Sequence, residues 1–158
     1  MNVGIITVSD RAAAGEYEDH GGPALKQESE RRGWQVIADA VVADEKVDIK
    51  ETIHSFCAQG CGLILTTGGT GIAIRDVTPE AVREIMRLEI PGFGELMRMR
   101  SFEITPNAIL SRGLAAVVKN SLVITLPGKP QGAVECLGFV EGALAHAVKL
   151  CVGEPTSC

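Results

Sequence analysis

Aromatic side chains are scarce in this chain, with one Trp, one Tyr and four Phe in 158 residues. Single-stranded nucleic acid is held by stacking bases on such rings, and so few cannot form a stacking platform. Surplus positive charge is lacking too. Fifteen Lys and Arg face 20 Asp and Glu, a net charge of −5, and the basic residues are dispersed. That excludes a surface built to neutralise a nucleic-acid backbone, while leaving room for a small anionic ligand that needs only local positive potential. Apolar runs such as Val3 to Ile6 and Leu122 to Ile124 fall far short of the roughly 20 residues of a membrane span. The start Met1-Asn2-Val3-Gly4 carries no basic signal-peptide stretch, so a cytoplasmic protein is expected. Five cysteines are an odd number, and reduced thiols are expected rather than a disulfide framework. His54, Cys57 and Cys61 lie on one helical pattern with no second ligand pair near them, which favours core packing over a metal site.

Standard catalytic and phosphate signatures are also missing. No Lys-Ser or Lys-Thr closes a glycine loop, which excludes a P-loop, and Ile74 stands where a dinucleotide-fold loop would carry its third glycine. No Ser-His-Asp or Cys-His arrangement offers itself as a nucleophile system.

What the chain does have is an alternation of strands and helices. Val3 to Val8 is nearly all apolar and ends in Ser9-Asp10-Arg11, the pattern of a strand buried on both faces. A helix over about 22–32, a strand over Gln35 to Val42, a helix over about 47–59 and a strand over Leu63 to Thr67 follow. A β-α-β-α-β run of this kind predicts a parallel sheet. Further on, Thr78 to Leu88 reads as a helix and Pro91-Gly92 opens another. The Phe and Met residues of that second helix belong to the core or to a subunit interface. Ala115 to Val118 and Leu122 to Leu126 flank a hairpin turn at Lys119-Asn120-Ser121, Gln131 to Cys151 forms a long helix, and a loose tail is expected after Gly153. The expected architecture is one domain over residues 1–158, a three-layer α/β fold whose mostly parallel sheet has helices on both faces and one antiparallel hairpin.

The segment after the third strand carries the chemistry. Gly68-Gly69-Thr70-Gly71 can bring backbone N–H groups close to an anion, and Asp76 follows at a position suited to holding Mg²⁺ against phosphates. Thr78-Pro79-Glu80 then reads as a helix start, with a capping hydroxyl, Pro at the first helical position and an acid in the first turn. A plain strand-to-helix turn is the competing explanation. What favours a site is convergence. Ser9-Asp10-Arg11, Asp44, Gly68 to Asp76 and Pro127-Gly128-Lys129-Pro130 each follow the carboxyl end of a predicted strand, the edge where open α/β sheets bind ligands.

Five stretches together, Thr7-Val8-Ser9-Asp10-Arg11, Gly68 to Gly71 with Arg75 to Ala81, Pro91-Gly92-Phe93-Gly94-Glu95, Ile109-Leu110-Ser111-Arg112 and Leu126-Pro127-Gly128, resemble the molybdopterin adenylyltransferases of molybdenum-cofactor biosynthesis. That family includes bacterial Mog-type enzymes and the G domains of the plant cofactor protein and of gephyrin. The resemblance spans nearly the whole chain in order. It implies a trimeric protein of the molybdenum-cofactor-biosynthesis fold that binds molybdopterin and Mg-ATP, releases pyrophosphate, and contacts the molybdenum-insertion protein. It assigns Asp44 and Asp76 to Mg²⁺ and adenylyl transfer, and Gly68, Gly69, Thr70 and Gly71 to the substrate loop, nearer the pterin phosphate than ATP. Ser9, Asp10, Arg11, Glu95, Ser111, Pro127 and Gly128 are matched to the pocket lining. Arg75 goes with them, although from its neighbours alone it reads as a solvated side chain. Two positions depart from the pattern: Ile74 stands where relatives often carry Arg or Pro, and Gln131 where many carry Lys. Lys129 replaces that cation, or the loop offers backbone N–H groups instead. A non-catalytic molybdopterin-binding or scaffold protein of the same fold, a metal-insertion partner and a nucleotide-cleaving competence-damage-type protein are the other readings.

Overall fold

The computed structural model describes residues 1–153. The tail expected to be loose after Gly153 lies outside them. The order is β1 (Asn2–Val8), α1 (Asp10–Ala13), α2 (Gly21–Arg31), β2 (Gln35–Val42), α3 (Lys46–Ala58), β3 (Leu63–Thr67), α4 (Thr78–Ile85), β4 (Leu88–Glu89), α5 (Pro91–Phe102), a 3-10 turn (Pro106–Leu110), β5 (Ala115–Val118), β6 (Ser121–Leu126) and α6 (Pro130–Cys151).

The strands form one sheet in the order β2-β1-β3-β6-β5-β4. β2, β1, β3 and β6 run parallel, and β5 is antiparallel to both of its neighbours. Alternation along β1 shows how the three layers arise. Val3 and Ile5 face one side, where Leu25 of α2, Met97 of α5 and Leu137, Val140 and Leu144 of α6 pack. Ile6 and Val8 face the other, against Ile49, Ile53 and Phe56 of α3 and Ala81 and Val82 of α4. Because both faces are covered, the central strands are buried along all but the first residue of β1, and that is why they read as nearly continuous apolar runs.

Three local expectations are corrected. α4 stops at Ile85 rather than Leu88, because Met86 turns to an extended conformation (ψ 147°) and the chain pairs with β5 instead. Arg87 and Ile90 N–H groups donate to the Val117 and Ala115 carbonyls, so β4 covers an edge that β5 would otherwise expose. The Thr78 hydroxyl does not cap α4. It donates to the Gly68 carbonyl at 3.0 Å and ties the helix start to the glycine loop. Finally, Ser9-Asp10-Arg11 is not a plain loop: Ser9 Oγ accepts from Ala12 N–H at 3.2 Å and caps the single turn α1.

Candidate functional site

The carboxyl ends of β1, β2, β3 and β6 lie side by side, and the predicted polar loops meet there. The Gly68 N–H donates to the Leu126 carbonyl at 3.2 Å, joining the roots of the β3 and β6 loops. Gly68 and Gly69 have φ of 104° and 63°, a left-handed region that favours glycine. A Cβ on Gly68 would press against the Val8 carbonyl, and one on Gly69 against Thr78 Oγ1 and, at 3.1 Å, Asp44 Oδ1. Lack of side chains is therefore what lets the loop lie down between Asp44 and α4.

Asp44 and Asp10 hold each other by reciprocal hydrogen bonds. Asp10 N–H donates to Asp44 Oδ2 at 2.8 Å, and Asp44 N–H donates to Asp10 Oδ1 at 3.0 Å. Arg75 reaches over from the glycine loop with Nε and Nη2 each 2.9 Å from Asp10, while Nη1 lies 2.8 Å from Glu45. These contacts set the electrostatics. The Arg75 hydrogen bond, followed by the Asp44 N–H bond, holds the Asp10 carboxyl below its usual value, and the same pairing raises the Arg75 guanidinium. Asp44 shifts the opposite way. Burial raises its carboxyl, and the negative charges of Asp10 and Asp76 add to that push against the opposing Asp10 contact and Arg75. Asp44 is thus a half-buried carboxylate short of positive charge, as a cation ligand would be.

Asp76 shapes the loop as well as carrying charge. Its Oδ2 accepts from Ala73 N–H at 2.8 Å, closing a turn. Among the described residues no three His, Cys, Asp or Glu side chains form a metal cage. One or two carboxylates completed by phosphate oxygens and water is a donor set that suits Mg²⁺, and Asp44 with Asp76 supplies it. His54, Cys57 and Cys61 sit elsewhere, with Cys61 buried and Cys57 Sγ 3.6 Å from the Val118 carbonyl.

Two hollows flank the loop. The larger, about 700 Å³, runs from Thr70 and Gly71 past Ser111 and Thr125 to Pro127, Gly128 and Lys129, and α5 and the 3-10 turn close its far side. Pockets of roughly 300–1,000 Å³ suit ligands of cofactor size. The smaller, about 140 Å³, lies between Ser9, Tyr17, Asp19, His20 and the root of the loop at Gly68. Gly128 borders both, and a Cβ there would stand 3.3 Å from Gly68 Cα.

Most of the predicted site residues therefore come together. Thr70, Gly71, Ser111, Pro127, Gly128 and Lys129 line the large cavity, Ser9, Gly68 and Gly128 the small one, and Asp10, Asp44, Arg75 and Asp76 cluster around Gly69 and Gly71. Two of the predicted residues lie away from both hollows. Glu95 is exposed on α5 and lines neither hollow, because the buried face of that helix belongs to Gly94 and Met97. Arg11 is exposed and stacks over Tyr17, 4.9 Å from the ring centroid, instead of facing a cavity. Gln131 lines the large cavity but donates to Glu135 at 2.8 Å.

Some residues of the site gave little signal in sequence. Asp19 accepts from Thr7 Oγ1 at 2.7 Å and from Gly21 and Gly22 N–H at 2.9 and 3.1 Å, fixing the start of α2 beside the small hollow. An Asp two residues before Gly21-Gly22-Pro23 was the available clue. Arg98 lines the large cavity with Nη1 2.9 Å from the Gly113 carbonyl, and only the fold brings those residues together.

A family model described as "Probable molybdopterin binding domain" matches residues 4–146. The molybdopterin adenylyltransferase of Helicobacter pylori J99 is 42% identical over 156 residues, covering 97% of this chain and 89% of that protein. That of Escherichia coli K12 is 39% identical over 157 residues, covering 94% and 77%. Among solved structures, the molybdopterin biosynthesis enzyme MoaB of Thermus thermophilus superposes with a TM-score of 0.90 at 43% identity, covering 99% of each chain.

Proposed function

The chain belongs to the family described as "Probable molybdopterin binding domain", and on that footing we propose that it is a molybdopterin adenylyltransferase of molybdenum-cofactor biosynthesis. It transfers AMP from Mg-ATP to the terminal phosphate of molybdopterin and releases pyrophosphate. The observation that carries this reading is the placement of Asp44 and Asp76, two carboxylates on separate strand-end loops, beside a cofactor-sized cavity. Relatives 39–43% identical that bear the same activity in their names support it.

The chemistry asks little of the protein beyond placement. A phosphate monoester has its second pKa near 6, so at pH 7 the nucleophile is already mostly dianionic and no general base is required. One of its oxygens attacks the α-phosphorus of ATP, the bond from that phosphorus to the bridging oxygen of the β-phosphate breaks, and pyrophosphate leaves with the electron pair. Two polyanions must be brought in line, so the work is positioning and charge neutralisation. Molybdopterin occupies the large cavity with its phosphate toward Thr70 and Gly71, and Lys129 adds positive charge at the rim. The triphosphate lies toward Asp44 and Asp76, the two carboxylates that would hold Mg²⁺. When bound, that ion offsets charge on the triphosphate oxygens. The Ser9 N–H bond to the Val42 carbonyl and the Gly68 N–H bond to the Leu126 carbonyl keep the loop roots together. Met99, Phe102 and Ile109 are exposed on α5 and the 3-10 turn, which supports association between copies of the chain, a trimer by the family resemblance.

Pyrophosphate release from purified protein, Mg-ATP and molybdopterin tests the reading. Asp44→Ala and Asp76→Ala should each lower turnover by at least about 10²-fold, the scale of losing one preorganised electrostatic group. No release above background by the unmodified protein, or full turnover by both variants, would sink it.

A further inference from the structure

The segment from Thr70 to Asp76 is weakly held by its own packing. Ile72, Ala73, Ile74 and Arg75 are all exposed, Ile74 almost completely at 98%. Its internal closure is one turn, in which Asp76 N–H donates to the Ala73 carbonyl at 3.0 Å and Ala73 N–H donates to Asp76 Oδ2. Three of its carbonyls, those of Thr70, Gly71 and Asp76, accept a hydrogen bond from outside the segment. Among the described residues the donor is Arg112 every time. The Arg112 backbone N–H lies 2.8 Å from the Thr70 oxygen, Nε 2.7 Å from that of Gly71 and Nη2 2.6 Å from that of Asp76. Nη1 pairs with Glu80 in the first turn of α4.

A guanidinium carries five donors in a rigid planar fork, so one half-buried side chain can fix several acceptors at set angles to one another. Here it joins both ends of the loop and the helix behind it. Arg112 also continues the stretch whose Asn107, Ala108, Leu110 and Ser111 wall the large cavity, so the same residue links that wall to Asp76.

Resting on the adenylyltransferase reading, we infer that Arg112 is a positioning residue for the transfer. It touches neither substrate. It fixes the Thr70–Gly71 backbone and the Asp76 carboxylate relative to each other, and so sets the register between the two substrates. A misplacement of about 1 Å costs on the order of 10²-fold in rate.

The test uses Arg112→Lys and Arg112→Ala in the full chain. Lys keeps the charge but cannot reproduce the fork, so both variants should lose about 10- to 100-fold in kcat. The Mg²⁺ concentration for half-maximal rate should rise, because Asp76 is displaced. Added guanidinium ion should restore part of the turnover of Arg112→Ala and none of that of Arg112→Lys. Amide hydrogen exchange, which needs no activity, should speed up across residues 68–78 in both variants and stay unchanged in β1 and α6. Unchanged exchange across 68–78 overturns the inference. So does faster exchange with unimpaired transfer, which would make Arg112 a clamp with no bearing on the reaction, and so does a rate loss equal to the unfolded fraction. Absence of transfer by the unmodified protein would instead overturn the adenylyltransferase reading. Should Arg112→Ala fail to fold, Arg112→Lys carries every arm except the rescue.

Discussion

Replacing Asp44 by Asn removes a charge but leaves a carbonyl oxygen able to accept the Asp10 N–H bond that Asp44 Oδ2 now takes at 2.8 Å. Burial and the charges of Asp10 and Asp76 push the Asp44 carboxyl above its ordinary value of 3.8. A carboxyl raised on folding favours the folded state only below its unfolded pKa, and that contribution disappears as pH rises through the folded value. At neutral pH the ionised side chain therefore weakens the fold, and Asp44→Asn should be at least as stable as the unmodified protein. This advantage should vanish below about pH 3.8. Asp44→Ala loses the hydrogen bond as well. A bond to a charged acceptor contributes about 1.5–3 kcal/mol when well buried, and for a half-buried one about 1–2 kcal/mol is reasonable. At this chain length each kcal/mol corresponds to roughly 2–4 °C in Tm. Catalysis should not follow stability. Both variants lose the charge, so both should lose at least about 10²-fold in turnover, close to 2.7 kcal/mol of transition-state stabilisation. Calorimetry at pH 7 together with pyrophosphate release separates the effects. An Asn variant that keeps turnover, or one that melts as low as the Ala variant, would refute the reasoning.

Other outcomes follow from the same contacts. Gly68→Ala meets both a left-handed φ of 104° and the Val8 carbonyl, whereas Gly15→Ala meets φ 72° with nothing within 4 Å, so calorimetry should show a markedly larger fall in Tm for the first. Lys129→Ala should raise KM for molybdopterin severalfold with kcat nearly unchanged, the pattern of lost uniform binding in steady-state kinetics. Arg31, with Arg32, lowers the Glu28 carboxyl to about 2 from an ordinary 4.5. A depressed carboxyl stabilises the fold above its unfolded value and loses that contribution as pH falls from 4.5 toward 2, so Glu28→Gln should flatten the acid limb of a Tm-against-pH curve across that window.

The central strand Leu63–Thr67 was legible because burial on both faces leaves an unambiguous mark, and it forms over the very residues whose composition predicted it. The edge strand Gln35–Val42, only partly buried, also forms over its predicted residues. Leu88–Glu89 was not legible, since two residues carry no periodicity and become a strand only because the edge of β5 needs a partner. At the site, sequence located the loops because glycine and acid at strand ends have local causes. Asp44 pairing with Asp10, 34 residues away, and Arg112 gripping Gly71 from 41 residues away have none, and only the sheet order brings them together. Glu95 shows the reverse case. A residue inside a matched stretch still faces outward when the helix turns its glycine and methionine to the core.

The most direct test follows the atoms. ATP labelled at the α-phosphate and, in parallel, at the γ-phosphate is incubated with the protein, Mg²⁺ and molybdopterin, and the pterin product is separated. Adenylyl transfer should place α-label in the pterin and γ-label in pyrophosphate, with one pyrophosphate for each pterin modified. A γ-label on the pterin, or an α-label that stays in free nucleotide while molybdopterin is unchanged, would rule that transfer out.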